Sequence, residues 1–328
     1  MKKKKFGQLV LALFAGVLTS LGASAAINLV AADSLPSNHA FVQTAEYFGD
    51  LVVKQTSGAL AVTVRPDGAL GSDSQILHEV KEGRVAMVRV TLGQLADEMR
   101  GAELASLPYL FRSERHLQDV LQGPFGTSLD REFQEHGYVR LMYIYGGPRD
   151  LYCTKPIYGV SDFRGVRVRT LESKVFTETF RDLGAVPVEL PIGKTADAFR
   201  DHQIDCAGGN VETYVAEELY RYAPYLMQDE HARIPEVLLM SKKVWDTLTP
   251  AQQNVLRASA SATMEHMLSR WREVEENALK AARKAGAKVI PHAEIANDSI
   301  EEQAGRFYNQ VVKSDKDLEV IMKIVMTR

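Results

Sequence analysis

The chain has 328 residues but only two cysteines, Cys153 and Cys206. Two cysteines cannot staple a chain of this size, so its stability must come from buried apolar surface. A basic surplus is also missing. The formal net charge is −3, which argues against nucleic acid, because a phosphate binder wants a basic face. There is no Gly-x-Ser-x-Gly elbow, phosphate loop or His-Glu-x-x-His, and the eight histidines are scattered without metal-ligand spacing. Ala207-Gly208-Gly209 is too short for a dinucleotide fingerprint. Asp205 and Glu212 can be imagined as an acid–base pair, but turn capping and a solvated helix face suit them better. No catalytic residue, cofactor or metal is expected. Beyond residue 25, no apolar run reaches the roughly 20 residues of a membrane-spanning helix.

What is present begins with Lys2, Lys3, Lys4 and Lys5, then an apolar run over 6–21 and the small residues Ala23-Ser24-Ala25. This order predicts an export signal over 1–25, cleaved before Ala26, and a soluble mature chain in the periplasm. A retained membrane anchor is the alternative. Cleavage removes four lysines and no acid, taking the formal charge from −3 to −7. Any anion would then be held by a few placed cations, not by the net field. Export makes a Cys153–Cys206 bridge chemically possible; two buried thiols are the other reading.

Roughly 300 residues remain, more than one core usually serves, so two lobes are expected. Strand patterns over 27–32, 60–65, 86–90, 139–145, 166–169 and 186–190 alternate with helical ones over 41–56, 74–82, 114–122, 173–183 and 195–202. That alternation predicts an α/β chain with a mixed, mainly parallel sheet in each lobe, its ligand beyond the carboxyl ends of the strands. Thr249, Pro250 and Gln252 open a helix that runs to 285 without internal glycine or proline. Its apolar positions Val255, Ala262, Leu268, Trp271 and Leu279 are sparse. Such a helix can brace two lobes; a long surface helix within one lobe is the alternative.

Arginine stands where arginine is awkward. Arg89 lies inside the apolar strand Met87-Val88-Arg89-Val90, Arg149 follows Gly146-Gly147-Pro148, and Arg169 shares a strand face with Arg167. A guanidinium at a strand end costs desolvation unless an anion meets it, and its planar fork suits a carboxylate. For any one of them alone, a structural ion pair or a hydrated strand end is the better explanation.

Together with Phe163-Arg164-Gly165-Val166-Arg167-Val168-Arg169, these residues resemble the DctP-type substrate-binding proteins of TRAP (tripartite ATP-independent periplasmic) transporters. Leu183-Gly184-Ala185, Gly68-Ala69-Leu70-Gly71 and Ser106-Leu107-Pro108-Tyr109-Leu110-Phe111 carry the same resemblance. Sugar-acid (uronate) binders of that family have segments like Met87-Val88-Arg89-Val90-Thr91 and Gly147-Pro148-Arg149-Asp150-Leu151-Tyr152. The resemblance implies a two-lobed periplasmic binding-protein fold, with lobe I over 26–146 plus 235–274 and lobe II over 147–234 plus 275–328. It also implies a small-molecule carboxylate as ligand, the membrane components of a transporter as partners, and a monomer. Arg169 matches the family's carboxylate clamp and Arg149 a second ligand-contacting arginine, with Arg89 contributing from the opposite lobe. Asn38, His39 and Asp73 would meet hydroxyls at the far end, and Asn210, Glu172 and Glu212 could add contacts. One departure stands out: Gly208 and Gly209 replace the family's Glu and Asn, which would leave extra room or expose backbone N–H groups. Uronates lead as ligands, ahead of other hydroxy acids, dicarboxylates, keto acids and aromatic acids. A periplasmic sugar-acid enzyme using His231 or His39, and a ligand sensor serving a receptor, are the competing functions.

Overall fold

A computed structural model describes residues 26–327; the expected export signal, residues 1–25, lies outside them. Among the described residues the chain forms two sheets. The first begins with β1 (Ile27–Ala32), β2 (Leu60–Arg65), β3 (Met87–Thr91) and β4 (Tyr138–Ile144). The second takes β5 (Arg149–Cys153), β6 (Arg167–Thr170), β7 (Val186–Glu189), β8 (Cys206–Gly209) and β9 (Tyr225–Ala232). Then β10 (Glu236–Ser241) returns to the first sheet and β11 (Lys288–Ile290) to the second. The orders are β2-β1-β3-β10-β4 and β11-β9-β5-β8-β6-β7.

Each sheet contains one strand that opposes all the others, β10 in the first and β5 in the second. The remaining strands agree in direction, as the parallel pairs β1–β2, β1–β3, β6–β7, β6–β8 and β9–β11 show. The reversal follows from the connections. The chain crosses between sheets through 145–148 and again through 233–235. Links this short reach no more than about 14 Å. They deliver the chain to the end where the other strands finish, so the next strand must run backwards. Both crossings therefore lie at the carboxyl ends of the strands, where ligands of such sheets bind.

The helix Pro250–Lys284 begins with the expected capping box, Thr249 with Gln252. At 1.5 Å per residue its length is about 52 Å. Leu256, Ala260, Met267 and Trp271 join the core of the first sheet, while Ala282 joins that of the second beside Tyr152 and Tyr214. The helix is thus a brace across both lobes. Its buried stripe differs from the expected one. Only Trp271 of the five predicted positions is buried, and Leu268 is exposed. Ser259, Ala260, Thr263, Ala278 and Ala282 carry much of the buried face instead. Small residues let the helix sit close to its neighbours but add little to a hydrophobic pattern.

The tail also corrects an expectation. The sequence reading puts residues 275–328 in lobe II, yet the helix Asp315–Met326 packs on the first lobe. Ile321 and Ile324 share a core with Leu117 and Phe133. Asp317 pairs with Arg100 at 2.6 Å, and His116 Nε2 donates to the Ile324 carbonyl at 2.8 Å. The amphipathic helix goes where an apolar surface awaits it. Cys153 and Cys206 stand opposite each other in β5 and β8 and form a disulfide, which resolves the two readings of that pair. No helix among the described residues is long and apolar enough to cross a membrane.

Candidate ligand-binding site

A cleft opens between the two sheets at their carboxyl ends. From the first lobe come Ser34 just after β1, Asp73 in the first turn of helix Asp73–Lys81, Arg89 and Thr91 of β3, Gln94, and Glu236 at the start of β10. From the second come Arg149 of β5, Arg169 of β6, Gly208 and Gly209 of β8, then Asn210 and Thr213. Leu35, Phe41, Leu171 and Ile192 supply apolar wall.

The charges in this cleft are unevenly matched. Arg89 Nε donates to Asp33 Oδ2 at 2.8 Å, its second fork nitrogen also meets Asp33, and Nη1 donates to Glu236 Oε2 at 2.6 Å. Burial opposes its charge, but Asp33 and then Glu236 outweigh that and hold it above the ordinary range. Glu236 is itself raised by burial, with Arg89 pulling the other way. On the opposite wall neither guanidinium has a carboxylate partner among the described residues. Arg169 Nε donates to the Leu190 carbonyl at 2.8 Å, and Arg149 Nη2 to the Gly208 carbonyl at 2.6 Å. Arg149 Nε is buried with no partner among the described residues. Burial lowers both, Arg169 to about 10, where Arg149 adds repulsion. A guanidinium keeps its charge at neutral pH even when buried. Two uncompensated buried cations side by side are costly unless an anion joins them.

The first wall is polar in a different sense. Asp73 Oδ2 accepts from Gln94 Nε2 at 2.5 Å, but among the described residues Oδ1 has no partner, nor do Ser34 Oγ and Thr91 Oγ1. Buried polar atoms are normally satisfied, so this cluster is shaped for a guest with hydroxyls.

Of the residues named from sequence, Arg169, Arg149, Arg89, Asp73 and Asn210 line the cleft. Asn210 caps helix Val211–Ala216, its Oδ1 accepting from Thr213 N at 2.8 Å. Asn38 and Glu172 are exposed and outside the lining. His39 and Glu212 meet each other instead of a ligand. His39 caps helix Ala40–Gln55, with Nδ1 accepting from Phe41 N, so its proton sits on Nε2. That nitrogen lies 3.0 Å from Thr213 Oγ1 and 2.5 Å from Glu212 Oε2, while Glu212 Oε1 accepts from Ala40 N at 2.9 Å. Helix Ala40–Gln55 belongs to the first lobe and Glu212 to the second, so this is a clasp between lobes. Arg89 is committed to two acids of its own lobe. Asp205, considered as an acid–base partner, is paired with Arg167. Sequence reading missed Gln94, Thr91 and Glu236; the only signal was Glu236 just ahead of an apolar run.

The glycine pair leaves no extra room. A side chain at Gly208 would start 3.2 Å from the His231 imidazole, and one at Gly209 only 2.5 Å from the Tyr152 hydroxyl. Those two side chains already fill the space that glycine releases.

The profile of bacterial extracellular solute-binding protein family 7, DctP, matches residues 31–315. A TRAP periplasmic solute-binding protein from Xanthobacter autotrophicus Py2, with bound β-D-galacturonate, superposes with a TM-score of 0.87 at 29% identity, covering 92% of this chain and 100% of that one. A second, from a Bradyrhizobium species in complex with α/β-D-galacturonate, gives 0.86 at 28%, covering 91% and 99%. The 2,3-diketo-L-gulonate-binding periplasmic protein YiaO of Escherichia coli K12 is 25% identical over 293 residues, 87% of this chain and 88% of its own length. With the two-lobed fold, the cleft and a match along most of its length, the chain belongs to bacterial extracellular solute-binding protein family 7, the DctP proteins that serve TRAP transporters.

Proposed function

We propose that this protein captures a sugar acid, a uronate above all, in the periplasm and delivers it unchanged to the membrane components of a TRAP transporter. The ligand carboxylate docks on Arg169 and Arg149, and its hydroxyls donate to Asp73 across the cleft. The observation that carries this reading is a pair of cleft guanidiniums, Arg169 buried and Arg149 partly so, without a carboxylate partner among the described residues. The free oxygen of Asp73 favours a hydroxyl over a second carboxylate at the far end. The relatives with bound galacturonate point the same way. The lobes divide at the two crossings, 145–148 and 233–235, and a ligand that touches both walls favours the closed arrangement. Residues 1–25 are the export signal, cut before Ala26. The test is a calorimetric titration of D-galacturonate, D-galactose and the dicarboxylate galactarate into the mature protein. Binding of the uronate alone is the expected result; equal binding of galactose would defeat the anion seat, and preference for galactarate would make this a dicarboxylate binder.

A further inference from the structure

Gly208 and Gly209 each face one buried polar atom that finds no partner among the described residues, His231 Nε2 and the Tyr152 hydroxyl. Strand register separates the two. Arg169 in β6 and Tyr152 in β5 both stand opposite Ala207 of β8. Side chains directly across from one another share a face, and Gly209, two residues on from Ala207, shares it as well. His231 lies on the other side, its ring against Phe180 at 5.7 Å and its Nδ1 3.0 Å from Asp229 Oδ2. Tyr152 is therefore the polar side chain beside the arginines. Its ring is fully buried and stacks on Tyr214 at 5.1 Å, which fixes where the hydroxyl points. Burial pushes its phenol up to about 12, while Arg149 and then Arg169 act against that, as expected of near neighbours.

We infer that the Tyr152 hydroxyl is a third donor of the anion seat, reaching the ligand carboxylate past the backbone of Gly209. Guanidiniums are donors only, so the phenol hydrogen beside them is available to an acceptor that the chain itself does not provide. An anionic oxygen drawn in by two cations is that acceptor, and the bond is charge-assisted. Glycine at 209 is what clears the approach: any side chain there would start against the hydroxyl. The inference rests on the proposal that the cleft binds a carboxylate.

The test is a double-mutant cycle read with D-galacturonate. Tyr152→Phe deletes one hydroxyl and keeps the ring; the expected Kd rises about tenfold, typical of losing one charge-assisted bond. The melting temperature of the unliganded variant stays equal or rises, because an unpartnered buried hydroxyl contributes nothing to the fold. Gly209→Ala is compatible with a backbone whose φ is not positive, but its Cβ displaces the hydroxyl. It weakens binding in the wild type and adds little in Tyr152→Phe, where the nearest ring carbon is 3.4 Å away. Wild-type affinity in Tyr152→Phe, or additive losses in the double variant, would overturn the inference. If Arg169→Ala abolishes binding while Tyr152→Phe leaves it intact, the inference falls and the carboxylate reading stands. Failure of the wild type to bind either D-galacturonate or D-glucuronate defeats both.

Discussion

Arg89 and Arg169 face one cleft from opposite sheets, and both are almost wholly buried. Their situations are opposite. Arg89 is surrounded by Asp33 and Glu236, so its charge is spent on holding the first lobe's wall together. Arg169 donates only to a backbone carbonyl among the described residues and is crowded by Arg149, so its charge remains to be answered. Burial of a cation is therefore no mark of a binding site. What distinguishes the two walls is whether the chain supplies the anion, and that decides which lobe seats the ligand's acid and which its hydroxyls.

The strongest way to break this contrast is Arg89→Met. It leaves two buried acids without their cation, a loss of about 3–5 kcal/mol of stability for such broken pairs. Denaturant unfolding without ligand measures it, and adding Asp33→Asn with Glu236→Gln recovers most of it. An unchanged midpoint would show that Arg89 is no better matched than Arg169.

The joint between the walls gives the next effect. Gly147 has φ +70°, and a Cβ there would lie 1.8 Å from Glu275 Oε1 on the brace helix. Gly147→Ala should cost about 1–3 kcal/mol of stability from backbone strain and overlap. A variant that melts with the wild type would mean that the crossing tolerates an ordinary residue.

A smaller effect sharpens the same joint. Burial raises Glu275 to about 6, above the ordinary carboxylate value of 4.5. The folded protein therefore favours the protonated acid. The resulting penalty is absent below about pH 4.5, grows between 4.5 and 6, and is complete above 6. Glu275→Gln should raise the melting temperature at pH 7 and match the wild type at pH 4, with the gain on the order of 1–2 kcal/mol. An equal gain at both pH values would assign the effect to packing.

Much of the fold was legible because its signals are local. Six strands were expected, and β1, β2, β3, β4, β6 and β7 lie within about a residue of their places. The capping box at Thr249 was readable for the same reason. β5 and β8 were not, since Arg149-Asp150 and Cys206-Ala207-Gly208-Gly209 carry few strand formers, and their places come from pairing with each other. Of the site, the arginines stood out because a charge in an apolar strand is costly. Their partnerships did not, because Asp33 and Glu236 reach Arg89 from 56 and 147 residues away. The same distance hid the clasp between His39 and Glu212, 173 residues apart in sequence and in contact only once the lobes face each other. The glycine pair showed that two side chains were missing, but not that Tyr152 and His231 had moved into the gap.

Calorimetry on Arg169→Ala, beside unfolding of the same variant without ligand, addresses the unanswered charge most directly. The account predicts that uronate affinity falls at least about a hundredfold, as for truncating one side of a buried charge pair, while the unliganded protein melts no lower than the wild type. Near-native affinity, or a large loss of stability with binding retained, would contradict it.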